Sequence, residues 1–248
     1  MTRETIKRIS LCILTIAVVF NGGCIWSRSN PTRQYYIINY MPQTTIPTGS
    51  KRPYDCALHV DRFEVQRIFN RQNIIYRYSP NRIQYYELER WAVRPDYMIR
   101  DVVFKHLEAS RLTNHVALDF LDIKPDYRLE GTVEALEKYD AGDLFYAHLA
   151  MTFKMLRVSD GQQVWTYSFD DRRRVFSGEM VHTVAGLSAI MQANMDVIIN
   201  QLDTLFLTGE TGMAPVAGQA APTTAVPPDS TKSDIDESGF EIIPEKKK

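Results

Sequence analysis

Cysteine is scarce: Cys12, Cys24 and Cys56 are all that the 248 residues contain. Three thiols build neither a disulfide framework nor a four-thiolate metal site within one chain. An excess of charge is also missing, with Lys plus Arg at 29 against Asp plus Glu at 30 and a formal net charge of −1. Whole-chain electrostatics therefore give no reason to expect nucleic acid as a partner. The histidines, His59, His106, His115, His148 and His182, fall in no H-E-x-x-H pattern, and no G-x-S-x-G is present, so neither a zinc protease nor a serine hydrolase is indicated. The N-terminal apolar run, residues 11–20, stops at Asn21, Gly22 and Gly23. It falls short of the roughly 20 residues that a membrane-spanning helix needs.

What is present describes a folded domain behind a targeting segment. The chain is 44% apolar, 24% charged and 11% aromatic, a composition that supports a core. Arg3, Lys7 and Arg8 precede the apolar run, which gives the positive n-region and apolar h-region of a secretory signal. Asn21-Gly22-Gly23-Cys24 resembles a bacterial lipobox, in which the signal is cut before the cysteine and the thiol takes diacylglycerol. Asn21 stands where that motif has an apolar residue. The alternative is an ordinary cleaved signal, or an uncleaved anchor, with Cys24 incidental. On the lipobox reading residues 1–23 are the signal, Cys24 carries diacylglycerol and an N-acyl chain such as palmitate, and no other cofactor is expected. Ile25 is not the Asp that retains a lipoprotein at the inner membrane, so the expected location is the outer membrane, facing the periplasm. Cys56 is then a lone thiol, most simply a small hydrophobe buried in a strand.

Residues 24–34 read as a tether, 35–207 as one domain, and 208–248 as a tail rich in Gly, Pro, Ala, Thr and Ser that is expected to be disordered. Within the domain, Tyr35-Tyr36-Ile37-Ile38 and Ala57-Leu58-His59-Val60, the latter running on to Phe63 and Val65, predict strands. Ile74 to Tyr78 and Arg82 to Tyr86 flank Ser79-Pro80-Asn81, a hairpin signal. Pro95 and Asp96 open a helix with a stripe of Ile99, Val102, Val103, Leu107 and Leu112. Tyr127, Leu129, Gly131 and Val133 alternate with polar residues, and Phe145 to Met155 keep the same period. After the turn Ser159-Asp160-Gly161, Trp165, Tyr167 and Phe169 continue it. Ser177 is a candidate cap for a last helix whose stripe runs from Val181 through Val184, Leu187, Ser188, Met191, Met195, Ile198 and Leu202 to Leu205. The pattern predicts an α+β fold: a mostly antiparallel or mixed sheet with two main helices on one face.

The lipobox-like start, the Tyr35-Tyr36-Ile37-Ile38 strand, the hairpin from Ile75 to Tyr86, Arg90-Trp91-Ala92 leading into a helix and Gly161-Gln162-Gln163-Val164-Trp165 together resemble the ABC-type transport auxiliary lipoprotein (PqiC-like) family. The resemblance implies a non-enzymatic lipoprotein that works beside an MCE-domain protein, a permease and an ATPase in lipid transport, with a homo-oligomer as a further expectation. The sequence nominates Arg172, Arg173, Arg174, Tyr76, Tyr78, Tyr85, Arg90 and Trp91 as partner-binding residues, since guanidinium forks meet carboxylate or phosphate and tyrosines serve interfaces. Each has a structural alternative: a solvated strand end for the arginines, a core residue for Trp91. His148 is expected to be solvated or strand-paired, Asp170-Asp171 a solvated charge cluster, and Met151, Met155, Met191 and Met195 core rather than the lining of a lipid groove. The competing function is a lipoprotein that itself binds a small apolar ligand, or a structural subunit of an envelope secretion or assembly machine.

Overall fold

The computed structural model describes residues 31–42, 46–119 and 124–209. The signal, Cys24, most of the tether and the tail from residue 210 lie outside the described residues. The predicted α+β architecture is found: a nine-stranded mixed sheet with two helices sharing one core.

The frame is an antiparallel meander of β7 (Tyr127–Ala141), β8 (Leu144–Arg157) and β9 (Gln163–Val175). Leu129, Val133, Met151, Phe153, Met155, Trp165, Tyr167 and Phe169 all face the core, as their period predicts. The expected turn at Gly161 closes β8 on β9, with φ +72° at the glycine and its N–H bonded to the Arg157 carbonyl at 2.9 Å. The other edge of β7 accepts three short strands in succession, all parallel to it: β2 (Tyr54–Val60), β3 (Glu64–Val65) and β4 (Asn73–Ser79). β6 (Thr113–Ala117) extends the sheet beyond β2. On the other branch β5 (Arg82–Trp91) forms the predicted hairpin with β4, and β1 (Gln34–Tyr36) pairs in parallel with β5.

Two strand expectations shift. β1 ends at Tyr36 rather than Ile38, because Ile38 turns into the core and its N–H meets the Met98 sulfur at 3.4 Å. The strand predicted to run from Ala57 on to Val65 breaks after Val60, where Phe63 folds inward over Gly131.

α1 (Pro95–Ser110) begins at the proline and ends at Arg111, whose φ of +50° is a left-handed cap. Its stripe of Ile99, Val102, Val103 and Leu107 is buried. α2 (Met180–Thr208) lies across β8 and β9, with Leu187, Met191, Met195, Ile198, Leu202 and Leu205 inward. Ser177 does not cap it: the Ser177 hydroxyl accepts the Glu179 N–H at 3.2 Å, and Glu179 holds the cap position. Val181, expected in the stripe, is 54% exposed: Met180, Thr183 and Val184 of the same turn are buried, and Val181 lies on the outer side of the helix. The segment joining β1 to β2 is tied to α2 through Asp203, whose Oδ1 accepts from Ser50, Arg52 and Tyr54 at 2.8, 3.0 and 3.0 Å.

Candidate functional site

Strand alternation sorts the nominated residues onto two faces. Opposite His148 on β8 stands Arg172, and opposite Tyr146 stands Arg174, so these two arginines occupy the face away from the helices. Arg173 pairs with Ala147 on the helix side. The triplet is therefore not one cluster, although all three side chains are exposed. The hairpin divides likewise. Tyr76 and Tyr78 share the helix face with Tyr86, at ring separations of 4.9 Å and 4.4 Å from Tyr76, and Tyr85 lies on the other face under Arg71 at 4.4 Å. The Tyr76 hydroxyl is bonded to Gln84 Oε1, and its pKa is pushed up to about 12 by the hydrogen bond with Tyr78 and by burial.

Trp91 must be withdrawn as a contact residue. It is 1% exposed and packs in the core where β5 meets β1, so a partner of the folded domain cannot reach it. Arg90 is half-buried, its Nε donating to the Glu87 carbonyl at 3.4 Å. Met151, Met155, Met191 and Met195 are core residues. Cys56 is half-buried in β2, its thiol pushed up to about 11 by burial and by Asp126 and Asp55.

Sequence reasoning missed a buried ion chain on the outer face. Glu137 Oε1 accepts Arg77 Nε at 2.7 Å and lies 3.0 Å from His148 Nδ1, and His148 Nε2 lies 2.8 Å from Asp170 Oδ1. Burial acts to raise the Glu137 pKa, but the hydrogen bonds and charges of His148 and Arg77 outweigh it and hold the carboxyl below its ordinary value. The Arg172 guanidinium covers the neighbouring Tyr139 ring at 5.1 Å. The phase of β7 explains the omission. A bulge between Val133 and Ala135 moves the core face from odd to even positions, so Glu137 leaves the helix side and Lys138 joins it. Lys138 is buried there, with Nζ 2.9 Å from the Gly178 carbonyl, 3.1 Å from the Tyr86 hydroxyl and 3.3 Å from Asp140 Oδ1, beneath the Phe145 ring at 4.7 Å.

With each ring nitrogen facing a carboxylate, His148 offers no nitrogen to activate a nucleophile; the arrangement is a strut joining β7, β8 and β9. Asp171 points the other way, to Asn194 Nδ2 at 2.7 Å. Among the described residues no group of three His, Cys, Asp or Glu side chains is placed to hold a metal. An open cleft of about 1030 Å³ lies between the β2–β3 junction and the start of α1. Charged side chains line much of it, among them Arg62, Arg94, Asp96 and Lys154. That is not the closed apolar cavity that the ligand-binding alternative requires.

A forked mixed sheet with two helices on one face defines the class of fold. The chain belongs to the family of the ABC-type transport auxiliary lipoprotein component, whose family model matches residues 35–198. The crystal structure of XCC0632 from Xanthomonas campestris, described as DUF330, superposes with a TM-score of 0.61 at 23% identity, covering 71% of this chain and 96% of that one. A second crystal structure, of an uncharacterized protein, gives a TM-score of 0.55 at 16% identity over 69% of this chain and 99% of the other. At these identities the likeness is one of fold. No curated protein matches the chain.

Proposed function

We propose that this protein is the auxiliary component of an MCE-type ABC system moving lipid between membranes, and that it acts by binding protein rather than by catalysis. The observation that carries the reading is the family match over residues 35–198, which takes in all the strands but for the first residue of β1, and most of α2. The engagement of both His148 nitrogens and the charged lining of the cleft favour it over a hydrolase or an apolar-ligand carrier. In this reading Cys24 carries the diacylglycerol and N-acyl anchor, and the domain hangs from the inner leaflet of the outer membrane. The MCE-domain partner approaches the β5 branch, where Tyr85 and Arg90 remain available. Further copies of the chain associate at the free outer edge of β9.

The test is crosslinking of the full acylated chain in envelopes, followed by affinity capture and mass spectrometry. Enrichment of an MCE-domain protein is expected. Capture of no lipid-transport component under conditions that retain the membrane anchor refutes the reading.

A further inference from the structure

The register brings four chain features to one end of the sheet. Ser79 pairs with Arg82 where β4 turns into β5, Ala141 with Leu144 where β7 turns into β8, and Phe145 with Val175 at the last residue of β9. α2 starts just beyond, at Met180. This turn pole carries apolar side chains that no other described residue covers. Phe176 is 94% exposed and meets the His182 ring edge-on at 5.9 Å, and Val181 and Tyr78 are 54% and 46% exposed. Arg82, Arg172, Arg173 and Arg174 are exposed around them, with Arg82 over the Tyr78 ring at 5.6 Å. The exposed acids at this end are Asp143, Glu179 and Asp170, the last paired with His148, while Asp140 is buried against Lys138. Aromatic and aliphatic tips inside a ring of arginine are the chemistry that meets an anionic lipid surface.

The path of the chain says which surface lies nearby. β5 runs away from the turn pole, and β1 is parallel to it, with Gln34 opposite Glu89. The chain therefore enters β1 from the pole side. From Arg82 to Glu89 the strand descends about 23 Å. The stretch from Cys24 to Gln34 reaches about 35 Å at most. Drawn toward the pole, such a stretch ends at most about 12 Å beyond it. β8 is about 45 Å long, so the same stretch drawn the other way would clear the opposite end by a similar margin. It is the direction in which the chain enters β1 that favours the pole. Phe176 and Tyr78 suit an interfacial layer, where amphipathic rings settle.

We propose that the turn pole is a bilayer contact, in which Phe176, Val181 and Tyr78 enter the interfacial layer and Arg82, Arg172, Arg173 and Arg174 meet anionic headgroup phosphates. The orientation rests on Cys24 being the anchor, as in the function proposed above. The contact itself is separable from it. The mature chain with Cys24→Ser, which carries no lipid, is sedimented with vesicles of phosphatidylethanolamine and phosphatidylglycerol, and with vesicles of phosphatidylcholine alone. Binding to the first and not the second is expected, weakening as salt rises. The exposed variant Phe176→Ser lowers binding about tenfold, and Arg172→Glu, Arg173→Glu and Arg174→Glu together by more than a hundredfold, at about fivefold or more per charge. Circular dichroism and the thermal midpoint of both variants stay at the parent values. Absence of binding to anionic vesicles, or binding that neither variant alters, overturns the proposal without touching the anchor, which fatty-acid labelling of Cys24 tests separately. Retained vesicle binding with lost MCE capture in the triple variant assigns the pole to the protein partner instead. Dissociation of an oligomer in Phe176→Ser, with vesicle binding unchanged, assigns it to a second copy of the chain.

Discussion

Arg77→Ala tests what the buried carboxylate of Glu137 needs. The Glu137 side chain is 1% exposed, and its Oε1 is held by Arg77 at 2.7 Å and His148 at 3.0 Å, while Oε2 has no donor among the described residues. Truncating Arg77 leaves a desolvated acid with the imidazole alone. Removing one partner of a buried pair costs about 3–5 kcal/mol. The Arg77 side chain keeps 22% of its surface in water, so water reaches the vacated space and the expected loss falls to about 2–3 kcal/mol. At about 2–4 °C per kcal/mol for a domain of this size, the melting temperature drops by roughly 4–12 °C. Because the two side chains touch, Arg77→Ala and Glu137→Gln should couple by at least about 1 kcal/mol in a double-mutant cycle read by urea unfolding. The pH dependence has a fixed sign. The folded pKa of Glu137 lies below its ordinary value of 4.5, so its stabilisation is fully present above 4.5 and is lost as pH falls through the lower folded value. The stability gap between wild type and Glu137→Gln is therefore flat from neutral pH down to about 5 and closes in more acid solution. An additive cycle, an Arg77→Ala loss below about 0.5 kcal/mol, or a gap indifferent to pH would refute this account of the ion chain.

Gly131→Ala places a methyl 2.5 Å from the Thr152 carbonyl oxygen and 2.6 Å from a Phe63 ring carbon; since a strand backbone cannot retreat, a loss of about 2–3 kcal/mol is expected in urea unfolding, and a neutral result contradicts the close approach. Lys138→Met keeps the volume but leaves Asp140, 8% exposed, without its ammonium and unties Gly178, so stability falls by about 2–4 kcal/mol and amide exchange quickens at residues 176–181; unchanged exchange there removes Lys138 as the tie. Cys24→Ser should move the protein from the membrane to the periplasmic fraction and abolish fatty-acid labelling, and a labelled variant rules out Cys24 as the acceptor. Removal of residues 210–248, whose composition is poor in core-forming side chains, should shift the thermal midpoint by no more than about 1 °C; a larger drop means that Phe240, Ile242 and Ile243 pack on the domain.

The elements that could be read from the sequence are those whose signals are local. Pro80-Asn81 and Gly161 mark hairpin turns, Pro95 and Asp96 mark the start of α1, and the period of two from Phe145 to Phe169 places the core face of β8 and β9. The docking of β2, β3 and β4 along one edge of β7 is a set of parallel, long-range pairings, and no turn residue or local period announces such a choice. The bulge after Val133 is equally silent, and it alone puts Glu137 and Lys138 where charged side chains are not expected. The division of Arg172 and Arg174 from Arg173 between two faces is, by contrast, legible. The alternation that sends Trp165, Tyr167 and Phe169 inward already requires residues 172 and 174 to point away from 173. Trp91 falls under the same rule, since a large indole ending an alternating strand beside a helix start is a core residue before it is a contact.

Glu137 and Lys138 are adjacent, and the pleat sends them to opposite faces of β7. The Glu137 side of the strand is joined to β4 by Arg77, to β8 by His148 and through that ring to Asp170 on β9. The Lys138 side is joined to β5 by Tyr86 and to the start of α2 by the Gly178 carbonyl. One height of the sheet is thus clamped on both faces, immediately below the turns that carry Tyr78, Phe176 and Val181. Buried ion pairs are a poor source of stability compared with apolar packing of equal volume, so net stabilisation is a weak explanation for two such clusters at one level. Position is the better one. A contact surface assembled from two hairpin turns, a strand end and the first turn of a helix has no shared hydrogen-bond ladder of its own, and it presents a fixed geometry to a membrane or a partner only if the strands beneath it are held in register. Directional, buried charge pairs hold register more strictly than interchangeable apolar contacts do, because a slip by one residue leaves a charge unpaired.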